Sequence, residues 1–436
     1  MKTILSIALS LILIAGTLAP MAVHAAEPPV APNAKKTFTI TGAGATFPFP
    51  LIDTWRVEYN KVYPNVQLNY QSIGSGGGVK QHTEKTVSFG ATDAPLTKKE
   101  AAKAAGTLTI PEAIGSITVS YNIPEIPQSG LKLTGEVIAN IYLGTIKKWN
   151  DPRITELNPD LELPNKSILV ARRSDGSGTT YAFTDYLSKV SGDWQRRVGV
   201  GKSVPWPVGV GAAGNEGVAF AVKNSPYAIG YVELAYAFQN GMTYAYVQNA
   251  DKTAFIEPTL ETIAAAAAGA APKLPKAEGN WEPVSISNAP GANSYPIASF
   301  TYLLVYEDLS KVAKDKDQAQ AIVHLIHWMI TEGQKFSSDL LYVPLSEPVK
   351  EIGKQGLARV NYNGEKLWNY ESVAMPSAEK SMTDKTSDKM ADKMTDKKTT
   401  EKDTKKKTTE KDTKKKTTAK KTTVKKTNVK PTTSSK

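Results

Sequence analysis

The chain has 436 residues, no cysteine and a formal net charge of +11. The absence of cysteine excludes disulfides, thiolate metal sites and a lipidated N-terminal cysteine. Residues 376–436 hold 20 lysines and nine acidic residues, so this segment carries the whole net charge and the rest of the chain is neutral. A neutral body gives no electrostatic case for nucleic-acid binding by the folded part.

Residues 1–25 have the pattern of a secretory signal peptide: Lys2, an apolar run over 4–15 and a small-residue site at Val23-His24-Ala25. The run is too short to span a bilayer, and no later segment approaches twenty apolar residues. We therefore expect a cleavable signal, export to the periplasm and no lipid anchor. Residues 26–36, rich in Ala and Pro, are expected to be a linker.

Three small-residue loops each follow a strand pattern and precede a helical pattern: TGAGATF at 41–47, IGSGGGVKQ at 73–81 and RSDGSGTT at 173–180. After the first loop, one helical face carries Leu51, Ile52, Trp55, Tyr59 and Val62. Alternating strand, turn and helix predicts parallel sheets, in which ligands bind at the carboxyl ends of strands. The first N–H groups of a helix are unpaired and carry partial positive charge, so the loops predict an oxyanion site.

Arg173 lies in the third loop ahead of Ser177, Gly178 and Thr179. Its planar guanidinium matches two oxygens of a phosphate or carboxylate, and Asp175 is placed to hold it in register. The alternative is a surface Arg-Asp pair in a turn, and burial of the pair would decide between the two.

Asp93, in FGATDAPL, is unexpected beside an anion because like charges repel. It makes sense as a proton acceptor, since phosphate keeps a P–O–H at physiological pH and sulfate has none. Such a site rejects an analogue that lacks the proton by roughly 10⁴ or more. The alternative is a helix cap, although Thr97 with Glu100 already supplies a capping box.

Other motifs indicate neither a cofactor nor a metal. GVGAAG at 209–214 matches a dinucleotide fingerprint but lacks the expected setting, and we interpret it as a loop against the ligand cleft. His324 and His327 lie one helical turn apart without a third ligand, which is typical of packing or surface residues. Hydrolysis by Ser177 would need a base, and His82 is expected to be a solvated helix residue, so no enzyme activity is predicted.

Over residues 37–350 the chain resembles the PstS family, the periplasmic phosphate-binding proteins of high-affinity phosphate ABC transporters. The motifs that carry the resemblance are TGAGATFP, IGSGGGVKQ, FGATDAPL, IYLGTIKKWND, RRSDGSGT and AIGYVELAYA. The resemblance implies an α/β, type II periplasmic-binding-protein fold with two lobes, each a mixed, largely parallel sheet flanked by helices. Lobe 1 would comprise 37–119 plus 295–374 and lobe 2 would comprise 120–294, with hinge crossovers near Ser120 and Tyr121 and over 294–299.

The resemblance also implies a monomer that binds inorganic phosphate in the interlobe cleft and delivers it to the inner-membrane permease of an ABC importer. Gly76 and Thr92 stand where serine is common in the family. Neither change removes an expected ligand, and Asp175 would orient Arg173. The implied phosphate ligands are Thr46, Phe47, Ser75, Asp93, Arg173, Ser177, Gly178 and Thr179.

From Ser377 onward Lys, Thr and Asp dominate, and the unit TTEKDTKKK at 399–407 is repeated at 408–416. Such a segment cannot bury a core, and we expect it to be disordered. It is either an electrostatic tether to anionic envelope polymers or lipids, or a repeat that only solubilises. Two alternatives to the transport function remain open: an envelope or surface interaction protein that acts through this segment, and a secreted phosphohydrolase.

Overall fold

The computed structural model describes residues 27–370. The predicted signal peptide (1–25) and lysine-rich segment (376–436) lie outside these residues. None of the helices within these residues has the length and apolarity needed to cross a bilayer.

Strands occur along the whole described chain, and most of them belong to one sheet. They are β1 (Phe38–Gly44), β2 (Val66–Ser72), β3 (Phe89–Thr92), β4 (Thr107–Asn122), β5 (Lys132–Leu133), β6 (Leu169–Arg173), β7 (Val210–Ala212), β8 (Ala228–Glu233), β9 (Thr243–Tyr244), β10 (Tyr246–Gln248), β11 (Phe255–Ile256), β12 (Ala298–Tyr306), β13 (Asn361–Tyr362) and β14 (Glu365–Lys366).

Helices follow most of the longer strands. They are α1 (Phe49–Val62), α2 (Ser75–Thr83), α3 (Lys98–Lys103), α4 (Gly135–Tyr142), α5 (Pro152–Thr155), α6 (Gly178–Val190), α7 (Gly192–Arg197), α8 (Gly214–Lys223), α9 (Leu234–Gln239), α10 (Leu260–Ala267), α11 (Lys316–Ile330) and α12 (Glu347–Leu357).

The main sheet has nine strands in the order β2-β1-β3-β12-β4-β8-β6-β7, with β9 paired to β4. Strands β1, β2 and β3 are parallel, as are β6, β7 and β8. Strand β12 is antiparallel to both β3 and β4, and β4 is antiparallel to β8. The predicted α/β class with mixed sheets is therefore confirmed, and the antiparallel pairs of this sheet all involve β4 or β12.

The long strand β4 positions the functional loops. Its direction matches that of β1 to β3 and opposes that of β6 and β8, so the carboxyl ends of the two groups point toward each other along it. Thr92 and Pro111 both pair with Tyr302, while Glu233 pairs with Ile117. The ends of β3 and β8 therefore meet beside residues 111–117 of β4.

The first helix shows how the sequence pattern becomes packing. Leu51, Ile52, Trp55 and Tyr59 of α1 are buried as predicted, but Val62 is exposed because it is the last residue of the helix. The Trp55 indole N–H donates to the carbonyl of Gly333 over 2.8 Å. A fully buried indole of this kind contributes about 3–5 kcal/mol to stability when compared with alanine.

Two boundary predictions bear on the described residues. The segment expected to be a linker contains no helix or strand over 27–36, yet Pro29 and Pro32 are buried and the Trp368 indole donates to the carbonyl of Glu27 over 2.9 Å. Strand β4 exchanges its partner β12 for β8 between Ser116 and Ile117. That point lies a few residues before the predicted hinge, and the two lobes stay a prediction.

Candidate anion-binding site

The three predicted loops are indeed strand-to-helix turns, and they lie against one another. The first joins β1 to α1, the second β2 to α2 and the third β6 to α6. The amide N–H of Gly76 donates to the carbonyl of Gly176 over 2.7 Å, which links the second loop to the third. Asp93 follows β3 directly, so all the predicted ligands stand at carboxyl ends of strands.

Thr46 and Phe47 occupy the turn before α1, and both are buried. The Thr46 hydroxyl accepts from the Asn215 side-chain amide over 2.7 Å, and the Thr46 carbonyl accepts from the Tyr236 hydroxyl over 2.6 Å. The Phe47 carbonyl accepts from the Tyr342 hydroxyl over 2.6 Å. Because the two tyrosine hydroxyls bind these carbonyls, the peptide groups of the turn have a fixed orientation.

Ser75 is the first residue of α2 and is fully buried. Its Oγ accepts from the amide N–H of Asp93 and from that of Gly178, each over 3.1 Å. It also lies 3.4 Å from Oδ2 of Asp93. One serine hydroxyl thus joins the end of β3, the start of α2 and the start of α6.

Asp93 is only 1% exposed. Burial raises the pKa of this carboxyl to about 7, although hydrogen bonds from Thr301 and Ser75 and the charge of Arg173 favour its ionised form. Its Oδ1 accepts from the Thr301 hydroxyl over 2.9 Å. Asp93 therefore caps no helix, because its carboxyl faces the same site as the loops.

Arg173 is the last residue of β6, and its side chain is 1% exposed. Its Nε donates to Oδ1 of Asp175 over 2.7 Å, and Nη2 forms a second ion-pair contact with Oδ2. Burial opposes ionisation of Asp175, but the hydrogen bonds and charge of Arg173 still hold the pKa of that carboxyl below its usual value. The guanidinium is buried, so the alternative of a surface turn contact does not apply.

The start of α6 carries the remaining predicted ligands, and all of them are buried. The Ser177 Oγ accepts from the amide N–H of Thr180 over 3.0 Å and so caps the helix, while its own hydroxyl proton stays available for donation. Thr179 Oγ1 accepts from Arg173 over 3.3 Å. A Cβ on Gly178 would lie 2.5 Å from Oδ2 of Asp93, so only glycine fits at this position.

Asn215 is a site residue that the sequence analysis missed. Its side-chain amide bridges Thr46 and Thr179, over 2.7 and 3.0 Å, and its Oδ1 accepts from the amide N–H of Glu233. It follows the GVGAAG motif, which we predicted to be a loop against the ligand cleft; the motif contains β7 and the short turn into α8, and it lies beside Asp175. The Gly214 amide N–H donates to Asp175 over 3.2 Å. Recognising that motif as a fourth strand-to-helix turn would have pointed to Asn215.

Two further polar residues, Thr301 and Glu112, were also missed. Both are fully buried, and the Thr301 Oγ1 lies 3.0 Å from Oε1 of Glu112. They stand on β12 and β4, next to the end of β3 in the sheet, and nothing in the local sequence marks them.

The histidines engage in packing contacts. His82 is buried rather than solvated, so that expectation is wrong: its Nε2 lies 2.8 Å from the Thr107 hydroxyl and its ring stacks on Tyr306 at 4.1 Å. The Nδ1 of His324 lies 2.8 Å from the Tyr59 hydroxyl. Within residues 27–370 no hydrogen bond joins His82 to Ser177, so the arrangement there does not form a serine nucleophile with its base.

The geometry gathers one buried guanidinium, several hydroxyl groups, helix N-termini and the buried carboxyl of Asp93, with Glu112 behind it, at the meeting point of two sets of strands. Residues 29–332 match the PBP superfamily domain. The fold and site thus define a solute-binding protein of that superfamily. The solved structure of PfluDING, a high-affinity periplasmic phosphate-binding protein bound with phosphate, shares the fold with a TM-score of 0.56, at 18% identity over 72% of this chain and 92% of that one.

Closer relatives identify the family within this superfamily. The phosphate-binding protein PstS of Pasteurella multocida is 44% identical over 337 residues, which are 76% of this chain and 93% of the relative. The PstS of Haemophilus influenzae is 45% identical over 311 residues, 71% of this chain and 90% of the relative. The chain therefore belongs to the PstS family of phosphate-binding proteins.

Proposed function

We propose that this protein binds inorganic phosphate between its two predicted lobes and delivers it to an ABC-type phosphate importer. The observation that carries the proposal is the presence of a buried carboxyl, Asp93, among predicted ligands that are otherwise donors. Such a combination suits an anion that also carries a proton. Membership of the PstS family supports the same ligand.

In the proposed complex Arg173 meets two phosphate oxygens through its planar guanidinium, which Asp175 holds in place. Hydroxyl groups and the amide N–H groups at the start of α2 and α6 donate to the remaining oxygens. The ligands are those implied by the family resemblance: Thr46, Phe47, Ser75, Asp93, Arg173, Ser177, Gly178 and Thr179.

Asp93 supplies the selectivity in this proposal. An ionised carboxylate accepts the P–O–H of phosphate, whereas sulfate has no proton to give and would face an unpaired negative charge. The Arg173 charge and the Thr301 hydrogen bond favour that ionised form. Arg173 and Thr301 would thus keep the Asp93 carboxylate charged and in place to accept the phosphate proton.

We further propose that the protein has no enzymatic activity, needs no cofactor or metal, acts as a monomer and works in the periplasm after removal of its signal peptide. Its relatives are phosphate-binding proteins by name. The contacts of Ser177 and His82 support binding without hydrolysis, since each is engaged in a separate structural role.

Calorimetric titration of the mature, phosphate-stripped protein at neutral pH tests the proposal. We expect one phosphate per chain and no heat from sulfate. A folded, stripped protein that binds no phosphate would overturn it. Deletion of 376–436 tests the alternative of an interaction protein. Unchanged phosphate affinity in the titration, together with loss of envelope localisation in the cell, would give the lysine-rich segment a separate tethering role.

A further inference from the structure

A single threonine hydroxyl lies between two buried carboxyl groups. Oγ1 of Thr301 is 2.9 Å from Oδ1 of Asp93 and 3.0 Å from Oε1 of Glu112. The three residues come from the end of β3, from β12 and from β4, which are neighbours in the sheet, and all are at most 1% exposed. A hydroxyl has one hydrogen, so Thr301 donates to only one of the two carboxyls.

The second contact therefore needs a proton from the other carboxyl. If Asp93 and Glu112 were both ionised, one carboxylate oxygen would face the Thr301 oxygen with no hydrogen between them, and two like charges would share a dry site. The row of three residues thus holds at least one carboxyl proton. Burial also favours a bound proton, because it raises the pKa of Asp93 to about 7 and that of Glu112 to about 8.

The surroundings place this proton on Glu112. Asp93 is stabilised as an anion by the charge of Arg173 and by Ser75. Oε2 of Glu112, by contrast, is buried and has no hydrogen-bond partner in the described part of the chain. An ionised Glu112 would leave a charged oxygen unpaired, whereas a neutral carboxylic acid leaves only a carbonyl oxygen unpaired, which costs far less.

On the basis of the proposed phosphate binding, we propose that Glu112 is a positioning residue that holds the shared proton and, through Thr301, keeps Asp93 an ionised acceptor for the P–O–H of phosphate. The Glu112 hydroxyl donates to Thr301, and Thr301 donates to Oδ1 of Asp93. Oδ2 of Asp93, next to Ser75, then accepts from the ligand. A proton on Asp93 instead would make it a donor, which suits sulfate as well.

Other titratable groups act on this pair from every surrounding element. Around Glu112 these are Asp93 and Tyr70 of β2. Around Asp93 the charged groups are Arg173 and Asp175 after β6, and Glu233 at the end of β8. The neutral phenols that the Asp93 charge affects are Tyr70, Tyr236, Tyr302 and Tyr342.

Infrared spectroscopy of the full, ligand-free protein tests the proton directly. We expect a protonated-carboxyl band at pH 7 that is lost in Glu112→Gln. Glu233→Gln identifies the band of Glu233, which is also fully buried and whose pKa burial also raises. A spectrum unchanged in this region by Glu112→Gln would overturn the proposal. Because no phosphate is present, this result is independent of the proposed function.

The pH profile of phosphate affinity gives a second test. Above pH 8 Glu112 loses its proton and adds a negative charge to the site, which glutamine cannot do. We expect the fall in phosphate affinity between pH 7 and pH 9 to be at least about threefold smaller in Glu112→Gln, since the ionisation of phosphate is common to both proteins. Equal profiles would overturn the proposal, whereas a wild-type protein that binds no phosphate would refute the proposed function instead.

The hydroxyl of Thr301 can be removed at nearly constant volume. In Thr301→Val, Asp93 loses a donor to its anion and protonates more readily, so we expect the phosphate-to-sulfate affinity ratio at pH 7 to fall at least about tenfold. Thr301→Ser keeps the hydroxyl and should restore most of the ratio. An equal phosphate-to-sulfate affinity ratio in wild type, Thr301→Val and Thr301→Ser would overturn the proposal that Thr301 links Glu112 to Asp93.

Discussion

Gly178 donates its amide N–H to the Oγ of Ser75 over 3.1 Å, and 103 residues separate the two in the chain. The bond ties the N-terminus of α6 to that of α2. These two residues lie on opposite sides of the predicted lobe boundary. We therefore predict that this contact forms only when the two predicted lobes close on the proposed phosphate site.

Gly178→Ala should abolish tight phosphate binding and leave the fold intact. The added Cβ would lie 2.5 Å from Oδ2 of Asp93 and closer still to Oγ of Ser75, so the loops could not approach. We expect at least about a hundredfold loss of phosphate affinity by calorimetry, or about 3 kcal/mol, with an unchanged circular dichroism spectrum.

Gly217→Ala is the matched control for this change. Gly217 lies in α8, and its Cβ would meet nothing closer than 3.5 Å. Alanine is favoured over glycine inside a helix by about 1 kcal/mol, so this variant should be slightly stabilised and bind phosphate normally. Similar affinities for the two variants would show that the contact between Gly178 and Ser75 is unimportant for binding.

Arg173→Lys separates charge from geometry. Lysine keeps the positive charge but loses the planar fork, the two contacts with Asp175 and the bond to Thr179. Hydrogen bonds to charged groups contribute about 1.5–3 kcal/mol each, so we expect phosphate affinity to fall by a hundredfold or more. Arg172→Lys, at the neighbouring and partly exposed position, serves as the control; an equal effect in both would argue against a ligand role for Arg173.

Asp93→Asn should relax the rejection of sulfate. The asparagine amide can donate to a sulfate oxygen, and the unpaired negative charge is gone. From a starting ratio of about 10⁴, we expect the phosphate-to-sulfate affinity ratio to fall at least about a hundredfold. Competition titrations measure it, with the exposed Asp160→Asn as the control. An unchanged ratio would remove the proposed role of Asp93.

The sequence sufficed for the local parts of this site. Glycine turns between a strand pattern and a helical pattern predicted the β1 to α1, β2 to α2 and β6 to α6 turns, because such signals depend only on neighbouring residues. The contact between Asp175 and Arg173 could be predicted for the same reason, because only two residues separate them in the sequence. The family resemblance supplied the assignment of these turns to one ligand.

Thr301 and Glu112 show where sequence reasoning stopped. Their distances from Asp93 follow from the register of β3, β12 and β4, and Thr301 is 208 residues from Asp93. No spacing in the sequence encodes that register. His82 was expected to be solvated because it stands on the helix that follows the second loop, yet the stacking of Tyr306 from β12 buries it.

The stability of the ligand-free protein should fall as pH rises from about 7.5 to about 9. Burial raises the pKa of Glu112 to about 8 and that of Glu233 well above its usual value, so in this range the folded state holds protons that the unfolded state has lost. Burial lowers the pKa values of His82, His324 and His327, and these groups act in the opposite direction at lower pH, where the unfolded chain still binds histidine protons. Urea unfolding across this range measures the slope, which is about 1.4 kcal/mol per pH unit for one proton. Glu112→Gln should make the slope shallower, and a flat wild-type curve would contradict the raised pKa values.

A partly buried ion pair joins Glu100 to Lys202, a residue whose backbone contacts Ser177. Nζ of Lys202 lies 2.6 Å from Oε1 of Glu100, with side chains 15% and 26% exposed, and the Lys202 carbonyl accepts from the amide N–H of Ser177. Glu100 and Lys202 lie on opposite sides of the predicted lobe boundary, so the pair should favour closure.

Glu100→Gln removes the charge, and glutamine can maintain the capping box with Thr97. We expect about a three- to tenfold loss of phosphate affinity through faster dissociation, measured by stopped flow, with a smaller effect in high salt. Asp193→Asn, in the exposed pair with Arg196, should change nothing; an unchanged dissociation rate in Glu100→Gln would show that this ion pair does not hold the site closed.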